Sequence, residues 1–250
     1  MVFIEGGLLS TMERGKDVHV SALCLDVQEV TVKDFRGCVR EGGCKRECEP
    51  GKACPDVPIE TRWDNELVDT DVSRFCNGRE GGAVGRYRIG GKAGAGSSGH
   101  ESASREGHPV NCVSFMEASA YCVSHGKRLP TGDEWEWASR SGPKRSLSPW
   151  GTAIAKHEIC WGKPKKRTGT CEEGSFPKDK TAQGLMDMGG NVSEWTTAPA
   201  RSADSDIVRW AYGASWYAVD DGYARAALGG MQMPARRAET VGFRCAMSPR

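Results

Sequence analysis

Eleven cysteines in 250 residues are the groups with the widest chemical reach in this sequence. Thiolates bind soft metals, attack electrophiles or pair into disulfides, and spacing helps decide among these. Cys38, Cys44, Cys48 and Cys54 contain no Cys-x2-Cys pair, so they match zinc poorly and disulfides are the better reading. So many cysteines point to an oxidising compartment: extracellular, periplasmic or cell-surface. The odd count leaves at least one thiol free, metal-bound or joined to another chain, which gives a route to a covalent or non-covalent protein partner. The five histidines, His19, His100, His108, His125 and His157, show neither His-x3-His nor His-Glu-x-x-His spacing. No Gly-x-Ser-x-Gly elbow or phosphate-cradling loop is present. His108, followed by Pro109, is expected to cap or hydrogen-bond locally. Asn191-Val192-Ser193 is formally a glycan acceptor.

Three helix starts are legible: Thr31-x-x-Asp34, Ser114-x-x-Glu117 and Thr131-x-x-Glu134. Each sets a hydroxyl to accept from an orphan backbone N–H, with an acid three residues on. The helices are expected to stop at Gly42-Gly43, near Gly126 and at Gly142-Pro143. Between them lie short β-type segments, including Val18 to Leu25 and Val241 to Cys245, separated by Gly-rich turns. Cys44 to Gly107 reads as a cysteine- and glycine-rich surface insertion, partly mobile and pinned by cysteines in its first half, in a single domain of residues 1–250. The pairings of Cys48, Cys54 and Cys76 stay open.

Formal net charge is +1, which leaves no electrostatic footprint for nucleic acid. The run Lys163-Pro-Lys-Lys-Arg167 lies between Cys160 and Cys171 without an interleaved aromatic and reads as a solvated loop. No apolar stretch approaches the roughly 18 residues of a membrane span. Met1-Val-Phe-Ile-Glu-Gly-Gly reads as a first strand rather than a leader, an expectation that puts any leader upstream of this sequence.

Four ordered motifs run through the chain: His108-Pro-Val-Asn-Cys-Val-Ser-Phe; Gly126-Lys-Arg-Leu-Pro-Thr-Gly-Asp-Glu-Trp-Glu-Trp; Gly184-Leu-Met-Asp-Met-Gly-Gly-Asn-Val-Ser-Glu-Trp-Thr; and the closing pair Gly213-Ala-Ser-Trp and Gly242-Phe-Arg-Cys-Ala. In this order the chain resembles the sulfatase-modifying-factor family, whose best-known member is the formylglycine-generating enzyme. The resemblance implies an α/β (α+β), C-type-lectin-like fold with little regular secondary structure and long loops.

In the family's enzymes a cysteine pair binds copper(I) and, with oxygen, oxidises a substrate cysteine to formylglycine. Laid on Gly213-Ala214-Ser215, those positions become Ala218 and Tyr223, neither of which supplies a thiolate. The family's aromatic before Glu194 is replaced by Ser193. These departures argue against copper and against the copper-dependent oxidase. Related iron-dependent sulfur transferases carry their histidine ligands in a separate helical domain without a counterpart here. The resemblance implies a groove lined by Ser215, Trp216, Tyr217 and Arg225; read together with Ser193, Ala218, Tyr223 and the neighbouring acids Asp220 and Asp221, it suits a peptide or small polar ligand. The competing reading makes Trp216 core, Arg225 an ion-pair partner and the two acids a solvated turn.

Asp187, Gly190, Val192 and Glu194 fall on positions that bind calcium in the family enzyme, and hard oxygen donors suit that ion. The alternative is a turn held by hydrogen bonds alone. The resemblance also implies a Cys122–Cys245 disulfide. Cys160–Cys171 is expected to clamp the basic loop; Cys38–Cys44 and Cys24–Cys112 are further candidate pairs. Asn191 falls inside the family's central buried motif, which argues against glycosylation. The leading expectation is an exported binding or scaffold module on the formylglycine-generating fold, a pseudoenzyme. The alternative is an oxidoreductase acting on protein cysteine, or another chemistry in the same groove. Variable proteins made by diversity-generating retroelements, which also use this fold, are a precedent for binding without catalysis.

Overall fold

The computed structural model describes residues 1–10, 17–42, 44, 77, 105–144, 146–151, 159–162, 169–197, 208–219, 225 and 228–249. Of the stretch read as an insertion, only Cys44, Asn77 and residues 105–107 are among them.

The three helices begin where the hydroxyl–acid pairs place them. Helix α1 is Val32–Arg40, and Thr31 accepts from the Asp34 backbone. Helices α2 (Phe115–Ser124) and α3 (Gly132–Ser139) start with complete capping boxes, Ser114 with Glu117 and Thr131 with Glu134. Each cap satisfies donors that burial would otherwise strand, worth about 1 kcal/mol. Gly42 and Gly126, both at positive φ, follow the C-terminal caps of α1 and α2. A short 3-10 turn at Gly142–Lys144 follows α3.

Strands β1 (Val2–Ile4), β2 (Gly7–Ser10), β3 (Asp17–Val20) and β4 (Leu23–Leu25) pair as β1 with β4 and β2 with β3, both antiparallel. The segment read as one strand from Val18 to Leu25 is therefore two. Both ribbons bend together at Gly6, where a Cβ would lie 2.7 Å from Val20 O and Ala22 N, so only glycine lets the backbones close there. Strand β5 (Ser193–Trp195) is central in a four-stranded sheet of order β7-β6-β5-β8, with β6 at Arg209–Tyr212, β7 at Gly229–Gln232 and β8 at Val241–Gly242. The β5–β8 pair is parallel. The segment read as one strand from Val241 to Cys245 is also divided. Strand β8 ends at Gly242, and the chain next pairs in β9, Ala246–Met247, with β4 of the other sheet. Between them Phe243 O and Cys245 O accept from Val30 N and Asp26 N as the chain crosses from one sheet to the other.

Two large apolar clusters make up most of the core among the described residues. One joins Phe35, Val113, Tyr121, Leu129, Trp195, Ala211, Phe243 and Cys245; the other joins Ile4, Leu23, Trp135, Trp137, Leu185, Tyr212 and Ala246. Neighbours Ala211 and Tyr212 divide between the clusters, as do Cys245 and Ala246, so alternate residues serve opposite faces. Trp135 stacks on Tyr212 at 5.6 Å, and Phe35 meets Phe243 edge-on at 6.2 Å.

Disulfides join Cys38–Cys44, Cys122–Cys245 and Cys160–Cys171. The Cys24–Cys112 pairing is not formed: Cys112 is disulfide-bonded and Cys24 is a free thiol. Cys24 stands in β4 between Phe3 and Met247, on the face opposite the buried Leu23 and Leu25. Cys112 is buried, its N–H bonded to Ala238 O. The Cys38–Cys44 bridge also removes two thiolates from any zinc set. No helix among the described residues is long and apolar enough to cross a membrane.

Candidate functional site

The segment after β6 turns outward at Gly213, whose φ of +86° lies in the left-handed region; a Cβ there would meet the Trp135 ring at 3.1 Å. Ser193 Oγ donates to Gly213 O at 2.8 Å. The replacement of an aromatic by serine is thus absorbed in a side chain-to-backbone bond that steadies the turn.

Trp216 is buried against the Cys160–Cys171 disulfide and Phe176. Its backbone N–H donates to Asn191 O at 2.7 Å, and its indole donates to Glu239 O at 3.0 Å. Trp216 is therefore core, the competing reading of the sequence, and supports the turn from beneath. Ser215 is also buried, and its carbonyl accepts from Ala218 N at 3.0 Å. Outward from this base stand Tyr217, 67% exposed and edge-on to Trp216, and Val219, 64% exposed. Ala218 is half-buried and Arg225 exposed. Asp220, Asp221 and Tyr223 lie outside the described residues.

Gly162 holds the turn from the side. Its N–H donates to Ala218 O at 2.9 Å. A Cβ on Gly162 would meet the carbonyls of Ala218, Trp216 and Tyr217 at 3.1, 3.2 and 3.3 Å. Sequence reasoning missed this residue; its only signal was a glycine between Trp161 and the basic run. The last histidine in the chain is His157, and no cysteine lies between Cys171 and Cys245. The segment from Gly213 to Arg225 therefore offers hydroxyl, aromatic, aliphatic and charged groups but no thiolate or imidazole.

Behind the turn lies a buried acidic group. Glu194 Oε2 accepts from Trp135 Nε1 and Arg244 Nε, and Oε1 from Arg244 Nη2, all at 2.8 Å. Both members of the Glu194–Arg244 pair are 0% exposed. Glu29 accepts from Asn191 Nδ2 at 2.8 Å and Val192 N at 3.2 Å. Asp187, at φ +57°, accepts from Gly174 N at 2.8 Å, and Asp179 accepts from Gly189 N at 3.1 Å. Burial, reinforced by the charges of Asp187 and Glu194, pushes Glu29 well above the usual carboxylate range. Burial likewise raises Asp179 and Asp187 and pushes Glu173 up to about 8. Glu173 Oε1 is buried without a hydrogen-bond partner among the described residues. Burial works against the charge of Arg244, but Glu194 outweighs it and holds the guanidinium protonated.

Five carboxyl groups thus share one guanidinium, and among the described residues no group of three or more His, Cys, Asp and Glu side chains is arranged to hold a metal ion. Glu194 is the constrained member of the set read from the sequence. The two bonds at Oε2 use its lone pairs, and Oε1 is held by the Arg244 guanidinium. Asn191 is fully buried, with Oδ1 accepting from Cys171 N at 2.9 Å and Nδ2 committed to Glu29, an environment closed to a glycan.

Few helices, short strands, long connections and a turn presented beyond β6 define a C-type-lectin-like fold of the formylglycine-generating type. The sulfatase-modifying factor enzyme 1-like domain family matches residues 1–249, and the chain belongs to that family. An "inactive C-alpha-formylglycine-generating enzyme 2" from Bos taurus is 33% identical over 244 residues, covering 92% of this chain and 79% of the relative. The formylglycine-generating enzyme of Mus musculus is 41% identical over 105 residues, covering 37% of this chain and 28% of the relative. Among solved structures, Treponema denticola variable protein 1 aligns with a TM-score of 0.63 at 17% identity, over 100% of this chain and 95% of that one, a likeness of fold alone.

Proposed function

We propose that this chain is a non-catalytic binding or scaffold module of an exported or cell-surface protein, built as a single domain of residues 1–250. The surface at Tyr217, Ala218 and Arg225, next in sequence to Ser215, Asp220, Asp221 and Tyr223 and backed by Ser193, takes a peptide or a small polar ligand. The observation that carries this reading is Ala218. A methyl group stands where the resemblance calls for a copper thiolate, and its backbone is tied to Gly162. Tyr223 supplies only a phenol, and hard oxygen does not replace soft sulfur for copper(I). A relative named as inactive, matched over 79% of its length, supports the same reading. The three disulfides whose two cysteines are both among the described residues are compatible with an oxidising compartment. Cys24 is the candidate for an odd-thiol contact with a protein partner.

Incubation of the copper-loaded protein with a Cys-x-Pro-x-Arg peptide under oxygen is expected to give no thiol-to-aldehyde mass loss above a metal-only control. Turnover above that control would promote the oxidoreductase reading instead. Selection from a random peptide library is expected to yield binders that weaken when Tyr217 or Arg225 is replaced by alanine. Binders indifferent to both changes would remove the groove.

A structural calcium ion held by Asp187, Gly190, Val192 and Glu194 belongs to the same proposal. It would balance the acidic group behind the turn and lock the 187–194 loop without taking part in a reaction. If the ion binds only the native state, chelation removes about 2.7 kcal/mol at a hundredfold excess over Kd. A melting temperature unchanged by chelator, with no ion retained in metal analysis of the purified protein, would dismiss it.

A further inference from the structure

His108 is the titratable side chain that the sequence reading left with a local role, and the structure gives it a distant one. Its Nδ1 lies 2.9 Å from Thr170 Oγ1. The same hydroxyl accepts from Asn77 Nδ2 at 2.7 Å. Asn77 is itself fully engaged: its second amide hydrogen goes to Pro109 O, its Oδ1 accepts from Arg105 Nη1, and its backbone N–H donates to Asn111 Oδ1. With one Thr170 lone pair taken by Asn77, the arrangement that uses every hydrogen has the Thr170 hydroxyl donating to an unprotonated His108 Nδ1.

Two routes lead from this cluster to the turn. Asn111 Nδ2 donates to Glu239 O at 2.7 Å, and the same carbonyl accepts from the Trp216 indole. Thr170 is covalently joined to Cys171, whose N–H donates to Asn191 Oδ1, while Asn191 O accepts from Trp216 N. The indole and the backbone of Trp216 are thus each held by a chain of bonds that begins at Asn77 and Thr170.

We propose that His108, Thr170 and Asn77 form an acid-sensitive strut beneath the Trp216 turn, in which protonation of the His108 ring takes away the acceptor of the Thr170 hydroxyl and loosens both routes to Trp216. As a form of regulation it rests on the reading of the turn as a ligand surface. The charged groups facing the ring are Arg105, which opposes a second positive charge, and Glu172, which favours it; the Thr170 backbone also offers the protonated ring an acceptor. Burial and then Arg105 prevail, and the His108 pKa lies below its ordinary value. The unfolded chain therefore binds the proton more readily than the native state. The strut's stabilisation is present above about pH 6.5 and is lost as pH falls toward the native pKa. The buried carboxylates with raised pKa act in the opposite sense, losing stabilisation as pH rises, so the strut must be read at Trp216 itself.

The test follows the Trp216 indole N–H resonance, assigned with Trp216→Phe, and the His108 ring resonances from about pH 8 to pH 5 by NMR. The expected result is a His108 midpoint below the ordinary value, with the Trp216 resonance shifting on the same curve. In Thr170→Val, whose fold is checked by circular dichroism, His108 is expected still to titrate and the Trp216 resonance no longer to follow. His108→Asn flattens the Trp216 curve as well. A Trp216 resonance that stays flat in the unmodified protein through the His108 titration overturns the strut, and so does one that still follows in Thr170→Val. Neither readout needs a ligand, so coupled titration without peptide binding would uphold the strut and count against the groove alone.

Discussion

Replacing Arg244 with methionine is expected to cost about 3 to 5 kcal/mol of folding free energy, because it leaves Glu194 buried without its counter-ion. The loss extends beyond that pair. Arg244 also donates to the carbonyls of Asp26, Val27 and Met186 at 3.2, 3.0 and 2.9 Å. A single side chain therefore ties the N-terminal sheet, the 186–194 loop and β5 together. It is also the cation that Glu29, Asp187 and Glu194 face. The check is a urea unfolding midpoint for Arg244→Met, alone and combined with Glu194→Gln. The second change keeps an acceptor for the Trp135 indole while removing the charge, so the pair should recover part of the loss. A midpoint for the single variant within error of the parent would remove the claim that this ion pair organises the centre of the fold.

The second large effect is expected at Cys122–Cys245, which joins α2 to the approach of β9 across a separation of 123 residues. Restricting so long a loop in the unfolded chain is worth about 4 to 5 kcal/mol in the chain-entropy model. Both sulfurs sit in the core cluster with Phe35, Tyr121 and Phe243, so Cys122→Ala/Cys245→Ala keeps that contact apolar while opening the loop. Thermal melts of this variant should fall well below those of a Cys38→Ala/Cys44→Ala variant, whose bridge closes a separation of only 6 residues. Equal losses would mean that local packing, and not loop length, sets the contribution.

Local signals carried most of what was legible beforehand. The three helix starts are written in hydroxyl–acid pairs three residues apart, and those bonds form within one turn, so they can be read without knowing the rest of the chain. Strand boundaries were harder. Val18 to Leu25 carries one continuous strand pattern, but Gly6, more than ten positions away, decides that it bends into two. Around the turn, the motif resemblance pointed to Ser193, Ser215 and Ala218 as well as Trp216 and Tyr217, but it could not show that burial divides these last two, adjacent aromatic residues. The partners that matter most electrostatically are remote: Glu194 with Arg244, His108 with Thr170, and Glu29 with Asn191. Nothing in their spacing foretold these meetings, although the arginine of Gly242-Phe-Arg-Cys beside a motif ending in Glu194-Trp195 was a usable hint.

The turn beyond β6 is held through its main chain: Gly162 to Ala218 O, Asn191 O to Trp216 N, and Ala218 N to Ser215 O. None of these bonds depends on what residues 217 to 219 carry beyond their α-carbons. Exposed side chains free of packing and caps change stability by no more than about 0.5 kcal/mol when replaced. Shape and chemical identity are therefore separable at this surface. A lineage, or a laboratory library, can rewrite Tyr217 and Val219 while the same loop is presented each time, and the residue that must stay constant to allow it is Gly162, where a Cβ would meet the carbonyls of Ala218, Trp216 and Tyr217.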